Sequence, residues 1–224
     1  MNIFDKFLGL IAPHHCLLCT DEDYVLCYDC ASQIDELPSS CYVCHKATTN
    51  FAPCSEHATK KSSKHVWFVY SYEKTAKKLL WAYKFQQQRA GAVDIAKIIS
   101  GILPNIPPET IVTYVPTSPE HIRLRGFDHS RLIAIEVAKI LGLSCYSLLK
   151  RNPGAVQHTL NRKQRLAQIK NSYSPINNYL TVDATILLID DVITTGATIS
   201  ECAKQLYSGG AKIVNVATLA RTPK

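Results

Sequence analysis

The residues that could do chemistry fall in two places. Near the carboxyl end, Asp190 and Asp191 follow the apolar run Ile186-Leu187-Leu188-Ile189, and Val192-Ile193-Thr194-Thr195-Gly196-Ala197-Thr198 follows them. The run reads as a buried strand of a parallel sheet, with the carboxylates where the strand ends and a helix from Ile199 to Tyr207. A strand, a tight loop and a helix N-terminus form an anion site, because free backbone N–H groups and the positive end of the helix dipole point into the loop. Gly196 permits the close turn, and Thr194, Thr195 and Thr198 add hydroxyl donors. Two carboxylates beside a phosphate would repel it unless they faced something else. Sugar hydroxyls, or a Mg²⁺ shared with a diphosphate, meet that condition.

The second place is the amino end, where seven of nine cysteines lie between 16 and 54. They run Cys16-x-x-Cys19, Cys27-x-x-Cys30, Cys41-x-x-Cys44 and Cys54-x-x-His57. Each C-x-x-C knuckle grips one side of a tetrahedral ion, and two knuckles close a structural site. Eight ligands in four pairs suit two zinc ions; one occupied site is the alternative. Short loops favour sequential pairing, with Cys16, Cys19, Cys27 and Cys30 on one ion and Cys41, Cys44, Cys54 and His57 on the other. A cross-braced arrangement stays open. A disulfide framework is disfavoured in a reducing compartment.

Other elements must position these groups. The 224 residues suit one domain plus a small module. We expect an amphipathic N-terminal helix over 1–12, a zinc-ribbon module over 13–60 and an α/β domain with a mostly parallel sheet over 61–224. His65 to Tyr72 reads as a strand, Lys74 to Phe85 and Arg89 to Ile102 as helices. The aromatics of the first helix read as core. Thr110 to Val115 is the next strand, ending in Pro116-Thr117-Ser118, and a helix to Leu141 follows, capped by Asp128 or Ser130. Ser144 to Leu149 reads as a short strand, Asn161 to Ser172 as a basic helix, Pro175 to Leu180 as a turn, and Ala211 to Leu219 as a closing strand. Cys145 and Cys202 read as core.

Net charge is +7 and uneven. Residues 1–60 carry three Lys or Arg against eight acids, and residues 121–170 carry ten against two. A polyanion should meet the middle of the chain first. Arg123, Lys150, Arg151, Arg162, Lys163 and Arg165 are the candidate nucleic-acid contacts. No stretch approaches the ~20 apolar residues of a membrane span. With no signal peptide legible, a cytoplasmic protein is expected.

The pattern DD-x-x-TTG-x-T after an apolar run resembles the 5-phosphoribosyl-1-diphosphate (PRPP) signature of type I phosphoribosyltransferases. The resemblance implies Asp190 and Asp191 on the ribose hydroxyls as the catalytic pair. It implies Val192 to Thr198 around the 5′-phosphate, and Mg²⁺ bound with PRPP. A diphosphate loop would fall at Pro116 and Thr117, with Arg125 and Lys84 in reach.

The four knuckles, the stretch Arg123-x-Arg125-Gly126-Phe127-Asp128-His129-Ser130 and the terminal signature together resemble the ComF family, its ComFC branch. Arg151, Gln157, Leu160 and Arg165 match a further family stretch, which departs at Gln168, where Asn is usual. In a phosphoribosyltransferase this region would be a mobile loop over the diphosphate. The resemblance implies a Rossmann-like phosphoribosyltransferase domain behind a double zinc ribbon. It also implies a role in natural transformation, handling incoming single-stranded DNA at the cytoplasmic side of the inner membrane. Three readings follow: a PRPP-binding competence protein, an active phosphoribosyltransferase of unknown acceptor, and a zinc-ribbon adaptor docking a translocation helicase or membrane channel.

Overall fold

A computed structural model describes residues 15–16, 18–19, 21–22, 24–85, 90–152, 169–176 and 182–223. The expected N-terminal helix lies outside the described residues. So do Gln157, Leu160, Arg162, Lys163, Arg165 and Gln168.

The elements in chain order are α1 (Tyr28–Ser32), β1 (Val66–Ser71), α2 (Lys74–Phe85), α3 (Gly91–Gly101), β2 (Ile111–Tyr114), α4 (Pro119–Arg125) and α5 (His129–Leu141). Then come β3 (Ser144–Cys145), β4 (Leu149–Arg151), β5 (Tyr173–Pro175), β6 (Thr185–Ile193), α6 (Ala197–Ser208) and β7 (Ile213–Arg221). Five strands form a parallel sheet in the order β1-β7-β6-β2-β3. This is a Rossmann-like α/β domain behind a cysteine-rich module.

Both sheet faces are buried, which is why the strands read as unbroken apolar runs. Alternate residues go to opposite sides. Leu187 and Ile189 of β6 join Trp67, Val69 and Leu219 in a core with α2, α3 and α5. Ile186 and Leu188 join Phe68, Val214 and Val216 in a core with α6. Cys16, Val25, Leu26, Cys27 and Cys30 extend the first core. The module therefore packs on the domain rather than standing off it. Leu37 donates to the Val69 carbonyl (2.7 Å), and the Val25 amide donates to Asp94 Oδ2 (3.0 Å).

Several expectations need correction. β6 runs through the acid pair to Ile193 instead of stopping before it. β7 lies inside the sheet, between β1 and β6. The stretch expected as one strand from Ser144 divides into β3 and β4, and β4 pairs antiparallel with β5, which no sequence expectation placed; the expected turn from Pro175 lies mostly outside the described residues. Cys145 is half-buried on the edge strand, whereas Cys202 is fully buried. Trp81 and Phe85 of α2 are 53% and 47% exposed, so only Tyr83 of the helix's three aromatics from 81 on is core. Among the described residues, no helix is long and apolar enough to cross a membrane.

Candidate phosphoribosyl site and metal centres

The strand order reverses between β2 and β6: the chain continues outward to β3 after one and to β7 after the other. In parallel α/β sheets the crevice beyond the carboxyl ends at such a point takes the ligand. Val115 donates to the Ile189 carbonyl (3.0 Å), which sets Pro116 and Thr117 beside Asp190 and Asp191. From the other side, Gly196 stands at φ +75° as the N-cap of α6. Thr194 and Thr195 are exposed above that helix end, and Ala197 donates to Thr195 Oγ1 (3.4 Å).

The acids are buried, not solvated: Asp190 is 8% and Asp191 4% exposed. Each is held differently. Asp190 Oδ1 accepts from Ser130 Oγ (3.0 Å) and from the Asp191 amide (3.0 Å). Burial, then the neighbouring Asp191 charge, pushes its carboxyl up to about 8. Asp191 Oδ2 forms an ion pair with Lys84 and faces His129 Nε2 at 3.4 Å. Burial opposes its charge, but Lys84 and then His129 outweigh burial and hold the carboxyl below its ordinary value. One acid of the pair is thus a fixed anion, and the other carries a proton near neutral pH.

His129 is a neutral donor. Arg125 Nη1 lies 3.1 Å from His129 Nδ1, and a guanidinium can only donate, so the ring proton belongs on Nε2 and points at Asp191. Burial brings the ring's pKa down to about 4. Asp128 caps α5 by accepting from the Arg131 amide (3.2 Å), and it also accepts from the Thr117 amide (3.2 Å) and hydroxyl (2.9 Å). The cap therefore ties the β2 loop to the helix carrying His129 and Ser130.

Of the predicted site residues, the structure brings together Pro116, Thr117, Lys84, Arg125, Asp190, Asp191 and the 192–198 turn. Lys84 meets a carboxylate where a diphosphate was expected. Arg123 is exposed on α4. Lys150 and Arg151 lie on the β4–β5 hairpin, with Arg151 over the Tyr173 ring at 5.6 Å. Sequence reasoning missed His129, which occupied an unassigned place in the Arg-Gly-Phe stretch, and Ser130, which binds Asp190 and not the helix end. It also missed Tyr42. Its hydroxyl is 3.0 Å from Ser200 Oγ, and its ring lies against Gly196.

The cysteines form two groups of four, Cys16-Cys19-Cys27-Cys30 and Cys41-Cys44-Cys54-His57, each with its ligand atoms within 4.8 Å of one another. This is the sequential grouping. A tetrahedral ion with Zn–S bonds of ~2.3 Å sets sulfur atoms roughly 3.8 Å apart. The separations are 3.5 Å for Cys19–Cys27, 3.5 Å for Cys44–Cys54 and 3.8 Å from Cys41 Sγ to His57 Nδ1. The donors fit such an ion, and none of the nine cysteines is in a disulfide.

No family model matches the chain. Competence protein ComFC of Streptococcus pneumoniae is 28% identical over 216 residues, 92% of this chain and 91% of that protein. Competence protein F of Haemophilus influenzae is 31% identical over 123 residues, 51% of each chain. The chain is thus similar to competence proteins of the ComF type. DNA utilization protein YhgH of Salmonella typhi is also similar, 34% identical over 120 residues, about half of each chain (51% and 50%). The ComFC match runs over 92% of this chain, so it takes in both the cysteine-rich module and the α/β domain.

Proposed function

We propose that this chain binds PRPP with Mg²⁺ in the β2/β6 crevice and serves DNA uptake in natural transformation. Its task there is to handle incoming single-stranded DNA on the cytoplasmic side of the inner membrane. The observation that carries the first half is the buried Asp190–Asp191 pair beside the Thr194–Gly196 turn, with Lys84 and Arg125 converging on it. Asp190 and Asp191 take the ribose hydroxyls. The amides and hydroxyls at the α6 N-terminus take the 5′-phosphate. Arg125, whose Nε is buried with no hydrogen-bond partner among the described residues, suits a phosphate oxygen. Mg²⁺ bound with the diphosphate would offset its charge, and Asp190 and Asp191 are the carboxylates that could face it.

The DNA half draws support from the relatives, which are named for competence and DNA utilization, and from the basic middle of the chain. Zinc in the two cysteine groups staples a module too small for a core of its own. The acidic module is a docking face for a basic translocation partner.

Calorimetric titration of PRPP and Mg²⁺ into the zinc-loaded chain tests the site. Binding by the wild type, lost in Asp190→Asn/Asp191→Asn, is the expected result. A folded, zinc-loaded wild type that takes up no PRPP overturns the reading. Diphosphate release during the same titration with candidate acceptors separates a transferase from a binding protein.

A further inference from the structure

Helix α2 presents a stripe that the phosphoribosyl site does not use. Its buried face carries Ala76, Leu79, Leu80, Ala82 and Tyr83. On the opposite face Lys74, Lys78, Trp81 and Phe85 recur at intervals of four, three and four, so they stand in one row. All four are exposed, and Lys77 flanks the row. The Trp81 and Phe85 rings are 6.0 Å apart, and the Arg125 guanidinium lies 5.0 Å over Phe85. The row thus runs from the lysines, across two aromatic rings, to an arginine that already contacts His129 at the crevice.

A single exposed apolar side chain needs no explanation, but two adjacent large rings among cations do. Trp81 and Phe85 are 53% and 47% exposed, so each leaves about half of its apolar surface unburied. Among the acids, Glu73 at the start of the helix accepts from Ser71 Oγ at 3.1 Å, and Asp128 and Asp191 act on Arg125; none of them lies in the row. Rings for bases and ammonium groups for phosphates are the two parts of a sequence-tolerant single-strand site.

We infer that the Lys74–Lys78–Trp81–Phe85 row of α2 is a stacking platform for single-stranded nucleic acid, leading to the crevice past Arg125. The inference rests on the DNA-handling reading and assigns it a surface. Thymine or another base stacks on Trp81 and Phe85, and the lysines neutralise backbone phosphates. A duplex keeps its bases stacked inside and gains nothing from the rings.

The chain carries its own reporter. Trp67 is 6% exposed and stacked on His65 at 5.4 Å, so Trp81 is the tryptophan a ligand can reach. The zinc-loaded full chain is titrated with a fluorescein-labelled oligothymidylate, read by anisotropy, and with the unlabelled oligomer, read by tryptophan emission. The expected result is quenched emission and a Kd raised about tenfold by Trp81→Ala and by Phe85→Ala. Trp81→Phe should keep the affinity and abolish the quenching. Lys74→Ala and Lys78→Ala should each lower the salt slope by about 0.7. Binding with unchanged emission and unchanged affinity in both alanine variants overturns the platform and leaves DNA handling standing; the rings then face a protein. An absence of oligonucleotide binding even at low salt overturns the DNA reading, and the platform with it.

Discussion

The Tyr42 ring lies against the α-carbon of Gly196: a Cβ there would stand 2.8 Å from Tyr42 Cδ2 and 3.0 Å from Cε2. Tyr42 stands between Cys41 and Cys44, two residues of the second cysteine group, and Gly196 opens the helix of the proposed phosphate site. A side chain at 196 meets two penalties, the contact and a φ of +75°. Gly196→Ala should cost on the order of 2 kcal/mol in urea unfolding and weaken PRPP at least tenfold. Adding Tyr42→Ala removes the contact but not the backbone strain. The double variant should then be more stable than the summed single effects imply, and strict additivity would show that the ring does not shape the turn.

The two cysteine groups should differ in what they do for the site. Arg221 Nη1 donates to the Cys41 carbonyl (3.2 Å), and its guanidinium stacks over Phe68 at 4.1 Å. Together with Tyr42, this fastens the second group to the sheet's carboxyl end. The first group joins the core near α3 instead. Emptying the second group with His57→Ala should therefore weaken PRPP binding more than emptying the first with Cys19→Ser. Zinc content measured beside calorimetry decides it. Equal losses would mean that both groups act only through overall stability.

The sheet and its ligand crevice were legible because strands buried on both faces print long apolar runs, as Ile186 to Ile189 does. The acid pair, the Thr-Thr-Gly turn and the cysteine spacing are local in sequence, so the grouping of those residues could be read directly. Lys84, His129 and Asp191 meet across separations of tens of residues, and no local pattern encodes that. The exposure of Trp81 and Phe85 was illegible for a related reason. At helical spacing, apolar residues mark a buried stripe, and this helix carries one at Leu79, Leu80 and Tyr83 as well as a second, solvent-facing row. The β4–β5 hairpin was missed because its strands are three residues each and pair across a long connection.

Asp190 makes stability fall with pH. Its carboxyl, ordinarily near 3.8, is raised to about 8 in the folded chain. Between those values the folded state holds a proton that the unfolded state has released. The stabilisation is complete below the unfolded value and is lost as pH rises through the folded one. The slope is at most about 1.4 kcal/mol per pH unit, and it levels off above pH 8. Asp190→Asn keeps the shape and removes the proton equilibrium. Urea midpoints between pH 6 and pH 8 should decline more steeply for the wild type than for Asp190→Asn. Parallel declines would mean that Asp190 is already ionised at pH 6.

Lys84 and Asp191 form a pair whose side chains are 13% and 5% exposed. Breaking such a pair from one side strands a buried charge, at about 3 kcal/mol, whereas replacing both partners costs less. Lys84→Met should be strongly destabilised at pH 7, and Lys84→Met/Asp191→Asn should recover part of the loss. The single variant leaves Asp191 with the His129 N–H as its polar neighbour, so its carboxyl should take up a proton nearer neutral pH. That shift can be followed by carboxyl NMR. If Lys84 serves only Asp191, the double variant restores the fold but not PRPP affinity, because the ribose contact is gone. If the ammonium also reaches the diphosphate when PRPP enters, Lys84→Met should lose affinity under conditions where it is fully folded. Unchanged stability in Lys84→Met would show that water already solvates this carboxylate, and the buried anion drawn from the geometry would have to be abandoned.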